Sequence, residues 1–264
     1  MYVKRTFIVI AVVTVVVAAV IAARLATRAW VRSLGMGMAE LLSDGAFRVL
    51  CERKNDAQPG SAVLLSLCAR LHCAVVQRGL MSVPDKHRLI GYALDDRRRR
   101  VAAALRRADG CSVLVFRCAV RVDEIGVFFD VRREPVAMGG HAHRGLSRAY
   151  QRLSSDVNRL LSGTGDDLVI TGYSMGGALA IMAAIELSWT KSIDLHVFAA
   201  PACVDHQCAS ALDKVCRVTT SLVNTADLIT RPVGSFVHIA PCHFHSAGHN
   251  AHAYGAYMKG LFTE

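Results

Sequence analysis

The sequence predicts an α/β fold, a mostly parallel sheet with helices on both faces, from two observations. Short apolar runs rich in β-forming residues alternate with longer helix-forming stretches through most of the 264 residues. One of those runs, Asp167-Leu168-Val169-Ile170, passes through the glycine-rich turn Thr171 to Gly177 into a helix former without a breaker, Ala178 to Leu187. Parallel strands need crossover connections, and a strand turning sharply into a helix is the repeating unit of such a sheet.

The elements follow in order. Lys4-Arg5 precede an unbroken apolar run from Phe7 to Ala23, and Arg24 ends it. At the helical rise this run reaches about 25 Å, near the lower limit for a bilayer-spanning helix. It predicts a single-pass membrane anchor over 1–32, followed by one domain over 33–264. The alternative is a signal segment removed near Ala22-Ala23, leaving a secreted protein. Arginines 24, 28 and 32 balance Lys4 and Arg5, so flanking charge leaves the orientation open. Residues 33–60 read as a loose connection. Helical spacing of Val63, Leu64, Leu67, Leu71 and Val75 predicts a helix over 62–80. From Pro84 to Arg107 charge dominates, most densely in Asp95-Asp96-Arg97-Arg98-Arg99-Arg100, which reads as a solvated face or loop. Strands are expected at 111–117, 126–131, 195–198 and 217–223, and helices at 146–161 and 247–261.

Composition narrows the class. Hydrophobic content of 53% with 20% charged residues describes a folded chain with one strongly apolar segment. A net charge of +10 favours anionic surfaces. No zinc-knuckle spacing or RNP-type aromatic motif accompanies that charge, so no nucleic acid is expected, and lipid is the better partner. The nine cysteines lie mostly in apolar runs, as buried thiols do. Cys242-His243-x-His245 lacks the two separated ligand turns of structural zinc, so no metal is expected.

The turn after Ile170 carries the chemistry. Gly172-Tyr173-Ser174-Met175-Gly176 is a G-x-S-x-G sequence between strand and helix, where the turn strains the serine backbone and projects its hydroxyl beyond the sheet. The Met175 amide, at the helix N-terminus, faces the point where an attacked carbonyl gathers negative charge. A serine nucleophile of this kind needs an acid and a histidine later in the chain. Asp227 stands in the first turn after the 217–223 strand, where a carboxylate can orient an imidazole; Asp205 and Asp213 are rivals in or before a helix. Histidines 238, 243, 245, 249 and 252 crowd the end of the chain. His249, at the mouth of the last helix, is the expected general base, with His252 second.

Six stretches in order resemble the class 3 lipase family of fungal triacylglycerol lipases and plant phospholipase A1 enzymes. Val113-Leu114-Val115-Phe116-Arg117 is similar to the family strand ending Phe-Arg-Gly-Thr or Phe-Arg-Gly-Ser, and His143-Arg144-Gly145-Leu146 to its His-x-Gly-Phe. Gly172 to Gly177 resembles Gly-His-Ser-Leu-Gly-Gly, and Phe198-Ala199-Ala200-Pro201 resembles Phe-x-x-Pro. Asn224-x-x-Asp227 with Pro232 resembles the acid loop, and His249 with Tyr254 the closing His-x-x-x-x-Tyr. The resemblance implies an α/β-hydrolase fold and hydrolysis of lipid carboxylic esters by Ser174, His249 and Asp227, with no cofactor. It also implies oxyanion donors at the amides of Met175 and Ala119. Two positions depart: Cys118-Ala119 stands where the family has Gly-Thr or Gly-Ser, and Tyr173 replaces a histidine. The first departure supports the competing reading, a membrane-associated binding protein with weak or no turnover. By position, 120–129 corresponds to a mobile lid of the fungal enzymes, or else is a strand at the sheet edge.

Overall fold

The computed structural model describes residues 59–76, 78–246 and 251–261. The expected anchor over 1–32, the connection that follows it and His249 lie outside the described residues. Among the described residues no helix is long and apolar enough to cross a membrane.

Seven strands form the main sheet: β1 (His87–Leu94), β2 (Arg100–Arg107), β3 (Ser112–Phe116), β6 (Asp167–Tyr173), β7 (Ser192–Phe198), β8 (Val218–Asn224) and β9 (Pro241–Phe244), side by side in that order. The first three pair antiparallel and the remainder parallel. A separate two-stranded sheet joins β4 (Arg133–Pro135) to β5 (His141–His143). Helices cover both faces, as expected. On one face lie α1 (Pro59–Val76) and α6 (Tyr254–Gly260); on the other lie α3 (Arg144–Leu161), α4 (Met175–Leu187) and α5 (His206–Val215). Strand alternation divides the core accordingly. Val113 and Val115 join the α1 side, and Leu114 and Phe116 the α4 side. Helix α4 buries every residue except Glu186, so it lies sandwiched rather than on the surface. That is why its sequence is apolar all round and has no polar stripe.

Two expectations need correction. The dense charges at 95–99 do form a loop, but the charged stretch around them, 84–107, is the β1–β2 hairpin, whose strands were not expected. Arg100, Arg106 and Arg107 flank a fully buried run, Val101 to Leu105, and the dense charges make the turn. Asp95 Oδ1 accepts from the amides of Arg97 and Arg99, an Asx-type closure, while Arg99 Nε donates to Asp95 Oδ2 at 2.6 Å. Residues 126–131 do not form a strand. The segment after β3 folds as a short helix, α2 (Val122–Ile125), and a 3-10 turn (Gly126–Phe129). Gly145 explains its seat: a Cβ there would stand 1.9 Å from Val127 O, so the glycine of the His-x-Gly stretch lets this turn press against α3.

Candidate active site

Ser174 caps the end of β6 with φ 56° and ψ −123°, a backbone conformation costly for any residue with a side chain. The surrounding glycines make this turn possible. A Cβ on Gly172 would fall 2.1 Å from Gly176 O, and one on Gly176 would fall 2.4 Å from Arg117 O and 2.5 Å from Phe116 O. The elbow is therefore pressed directly against the end of β3, which carries Cys118-Ala119. Gly176→Ala drives a methyl into two backbone carbonyls that no rotamer change can move. It is expected to cost at least about 2 kcal/mol of unfolding free energy. Urea titration checks this, and an unshifted midpoint would contradict the packing.

Three side chains from distant points meet at the elbow. His252 Nε2 lies 2.8 Å from Ser174 Oγ, and His252 Nδ1 lies 2.5 Å from Asp227 Oδ2. All three residues are buried. Ser174 and Asp227 thus meet at His252, the second-choice histidine, while the first choice, His249, lies outside the described residues. The imidazole of His252 fills the position between serine and carboxylate. Asp227 carries two further bonds: Tyr257 Oη donates to Oδ2 at 2.8 Å, and the Ile229 amide donates to Oδ1 at 2.9 Å.

The acid loop and the histidine loop are stitched by Asn224, at the end of β8. Its Nδ2 donates to the carbonyls of Ala251 (2.9 Å) and Ser246 (3.2 Å), and its Oδ1 accepts from the amides of Ala226 and Ser246. Tyr173, the residue replacing the family histidine, has a structural use. Its hydroxyl donates to the His252 carbonyl at 2.6 Å, and its ring stacks on Tyr254 with centroids 3.7 Å apart. The serine's neighbour thereby holds the backbone of the histidine that meets the serine. Sequence reading missed Tyr173, Asn224 and Tyr257 as supporting residues. The Asn-x-x-Asp spacing was the available signal for Asn224.

The expected oxyanion residues flank the serine. Met175 opens α4, and Ala119 lines the same pocket as Ser174. The loop that carries Ala119 is fixed by a buried ion pair. Arg117 Nη1 and Nη2 donate to Glu124 at 3.0 and 2.8 Å, Arg117 Nη1 also donates to Cys118 O at 2.7 Å, and Arg117 Nε to Arg100 O at 2.7 Å. Glu124 Oε2 accepts the Val120 amide at 2.8 Å. A fully buried guanidinium is tolerable only because it is so completely paired.

The pocket in front of Ser174 holds about 540 Å³ and is mainly apolar. Ile125, Phe128, Leu146, Pro201, Leu228 and Ile229 contribute to its wall. His143 stands in that wall with its ring centroid 5.4 Å from that of Phe236, and burial lowers its pKa, favouring the neutral imidazole. Leu228 in that wall is 68% exposed, and Phe129, next in the chain to Phe128, is 82% exposed. Among the described residues no cluster of side chains has the makings of a metal site.

Residues 113–236 match the family model described as lipase (class 3). No curated protein matches the chain in sequence. Among solved structures, a lipase from Rhizopus microsporus var. chinensis is similar with a TM-score of 0.59 at 14% identity, over 80% of this chain and 88% of that one. The triacylglyceride lipase of Rhizomucor miehei gives 0.54 at 17%, over 64% and 72%. A triacylglycerol lipase from Penicillium expansum gives 0.51 at 17%, over 70% and 80%. At such identities the likeness speaks to the fold, and the fold it speaks to is the one the sequence predicts.

Proposed function

We propose that the chain, whose residues 113–236 match the class 3 lipase model, is a carboxylic ester hydrolase of the serine type and cleaves lipid esters with Ser174, His252 and Asp227. The observation that carries this assignment is the single imidazole in contact with both Ser174 Oγ and Asp227 Oδ2, beside an apolar pocket. Ser174 Oγ attacks the ester carbonyl while His252 Nε2 takes its proton. The amides of Met175 and Ala119 receive the oxyanion. The tetrahedral adduct collapses, breaking the bond to the alcohol, and His252 returns the proton to that leaving oxygen. Water, deprotonated by His252, then attacks the acyl-enzyme; the acyl–Oγ bond breaks, His252 returns the proton to Ser174 Oγ, and the acid leaves. Asp227 holds the imidazole tautomer and balances the imidazolium, while Tyr257 and Ile229 hold Asp227. The apolar wall takes the acyl chain, which selects a lipid ester over a polar one. No cofactor enters this chemistry. The contact between Ser174 and His252 weighs against the non-hydrolytic reading, and the Cys118-Ala119 departure leaves an amide at 119 beside the pocket. The test is covalent labelling of Ser174 by a fluorophosphonate, together with turnover of a panel of lipid esters.

The proposed workplace is a lipid interface, reached through the apolar segment at 7–23, as an anchor or as a signal that directs secretion. Alkaline carbonate extraction of the full-length protein separates these: an anchored chain stays with the membrane pellet. Segment 120–129 is proposed as the lid. Ile125 and Phe128 turn into the pocket while Phe129 faces solvent, so the turn has apolar surface on both sides. Burying that surface at an interface, at roughly 25 cal/mol per Å², favours an open site. Activity on a short-chain ester should rise sharply once substrate exceeds its solubility and forms droplets. Replacing Phe128 and Phe129 with serine should flatten the rise and spare hydrolysis of dissolved substrate. Smooth saturation through the solubility limit would rule the lid out.

A further inference from the structure

Behind the pocket, on the α1 face of the sheet, one polar pair has no part in the mechanism above. Cys118 Sγ lies 2.8 Å from His72 Nδ1, and both residues are buried, at 0% and 1% exposure. His72 belongs to α1, outside the 113–236 stretch that matches the family. Its Nε2 has no hydrogen-bond partner among the described residues. A buried histidine with one unsatisfied nitrogen costs stability where leucine would not. Its presence calls for a use.

That use lies in the peptide between Cys118 and Ala119. We propose that His72 is a positioning residue for the oxyanion amide of Ala119, acting through the side chain of Cys118. The inference rests on the reading of Ser174 as an ester-hydrolysing nucleophile. A trans peptide is planar, with its carbonyl and its N–H pointing in opposite directions. Arg117 Nη1 holds the Cys118 carbonyl at 2.7 Å, which turns the Ala119 N–H away from the guanidinium. The direction of that plane still depends on the Cα of Cys118, which a glycine would leave free to rotate. Here the Cys118 side chain points to the opposite side of the sheet from the pocket and is tied to α1 by His72. Downstream, Glu124 holds the Val120 amide. The peptide is therefore fixed on both sides, and the anchor is the feature by which this chain departs from Gly-Thr or Gly-Ser.

The pair works as a neutral hydrogen bond. Burial pushes the Cys118 thiol up to about 12, and burial with the nearby Arg117 charge pulls the His72 imidazole down to about 3, so neither ionises near neutral pH. Either neutral tautomer of His72 leaves one donor and one acceptor for the contact.

The experiment compares four variants of the full chain on a soluble short-chain ester. His72→Leu keeps bulk and removes the bond; His72→Asn keeps a polar atom where Nδ1 stood. His72→Leu should lower kcat by about ten- to a hundredfold with KM within about twofold, since a displaced oxyanion donor weakens the transition state and not substrate binding. His72→Asn should recover kcat to within about threefold of the unmutated protein. Cys118→Ala should resemble His72→Leu, and the double variant should be no worse than the poorer single one. A leucine variant with kcat within twofold of the parent, an asparagine variant no better than leucine, or additive losses in the double would overturn the proposal. The His72 nitrogen resonances, read by 15N NMR, separate the two levels of the argument. A parent chain with turnover whose His72 signals ignore Cys118→Ala overturns this inference alone. A parent chain without turnover removes the hydrolase reading, and the inference with it.

Discussion

Ser174→Ala is expected to bring ester hydrolysis to background and to abolish fluorophosphonate labelling, with little change in unfolding. The loss follows from covalent catalysis: without Oγ there is no acyl-enzyme, and His252 has no proton to remove. Removing the nucleophile of a serine triad costs on the order of a millionfold in turnover, leaving only what the oxyanion amides and binding provide. The stability expectation has a separate basis. Ser174 keeps φ 56° whichever small side chain it carries, so alanine inherits the strain of the turn. What disappears is one buried hydrogen bond to His252, worth about 1 kcal/mol net. The measurement is paired: kcat on a soluble ester, and the thermal midpoint of both proteins. Full activity in the alanine variant would sink the mechanism; a collapse of the midpoint would show that the variant tests folding rather than chemistry.

The central parallel strands were legible because they are largely buried and write themselves as apolar runs, whereas the exposed edge strand β9 was missed. Val113 to Phe116, Leu168 to Ile170 and Leu195 to Phe198 each stand clear of their neighbours, with a helix-forming stretch between. The antiparallel edge was hidden by arginine. Strand β2 has five buried residues in a row, but three of them are alanine, and Arg100 and Arg106 bound them so closely that the window average reads as surface. Segment 126–131 misled for the opposite reason. Val127, Phe128 and Phe129 look like a strand, but they form a 3-10 turn in which Val127 packs against the core, Phe128 lines the pocket and Phe129 faces solvent. Three consecutive apolar residues with three different surroundings imitated a strand.

In the site, local signals served where the chemistry is local. Ser174 and its glycines lie within one short turn, with Gly172 and Gly176 crowding each other, so the motif alone located them even though Gly176 also presses on Phe116 and Arg117. Asp227 follows β8 and sits where strand ends present side chains in this kind of sheet. The histidine is a different case. His249 and His252 are both near the start of the last helix, and a difference of three residues depends on how the loop returns to the sheet. That return is set by Asn224 gripping the Ala251 carbonyl and Tyr173 gripping that of His252, contacts across 27 and 79 positions of the chain. The family's spacing to Tyr254 favoured His249. The tie between Tyr173 and His252 arises at the position where this chain departs from the family.

His252→Ala should therefore lose at least about a thousandfold in turnover, while His249→Ala should stay within about tenfold of the parent. The asymmetry follows from geometry, since His252 Nε2 is 2.8 Å from Ser174 Oγ and Nδ1 is 2.5 Å from Asp227 Oδ2. A serine hydroxyl without an adjacent base is a weak nucleophile at neutral pH, and the adjacent imidazole is that of His252. Asp227→Asn makes the companion test. It leaves a hydrogen bond to Nδ1 but favours the wrong tautomer, with a loss on the order of ten-thousandfold in a serine triad. His252→Ala also strips one of three donors from a buried carboxylate, since Tyr257 and the Ile229 amide remain. The variant should consequently be destabilised by about 1–3 kcal/mol, yet remain folded at 25 °C. Near-UV circular dichroism establishes the folded fraction, and kcat/KM on a soluble ester is then compared per folded molecule. A large loss at His249 with His252 spared would restore the spacing argument, and with it a different path for the loop between β9 and α6.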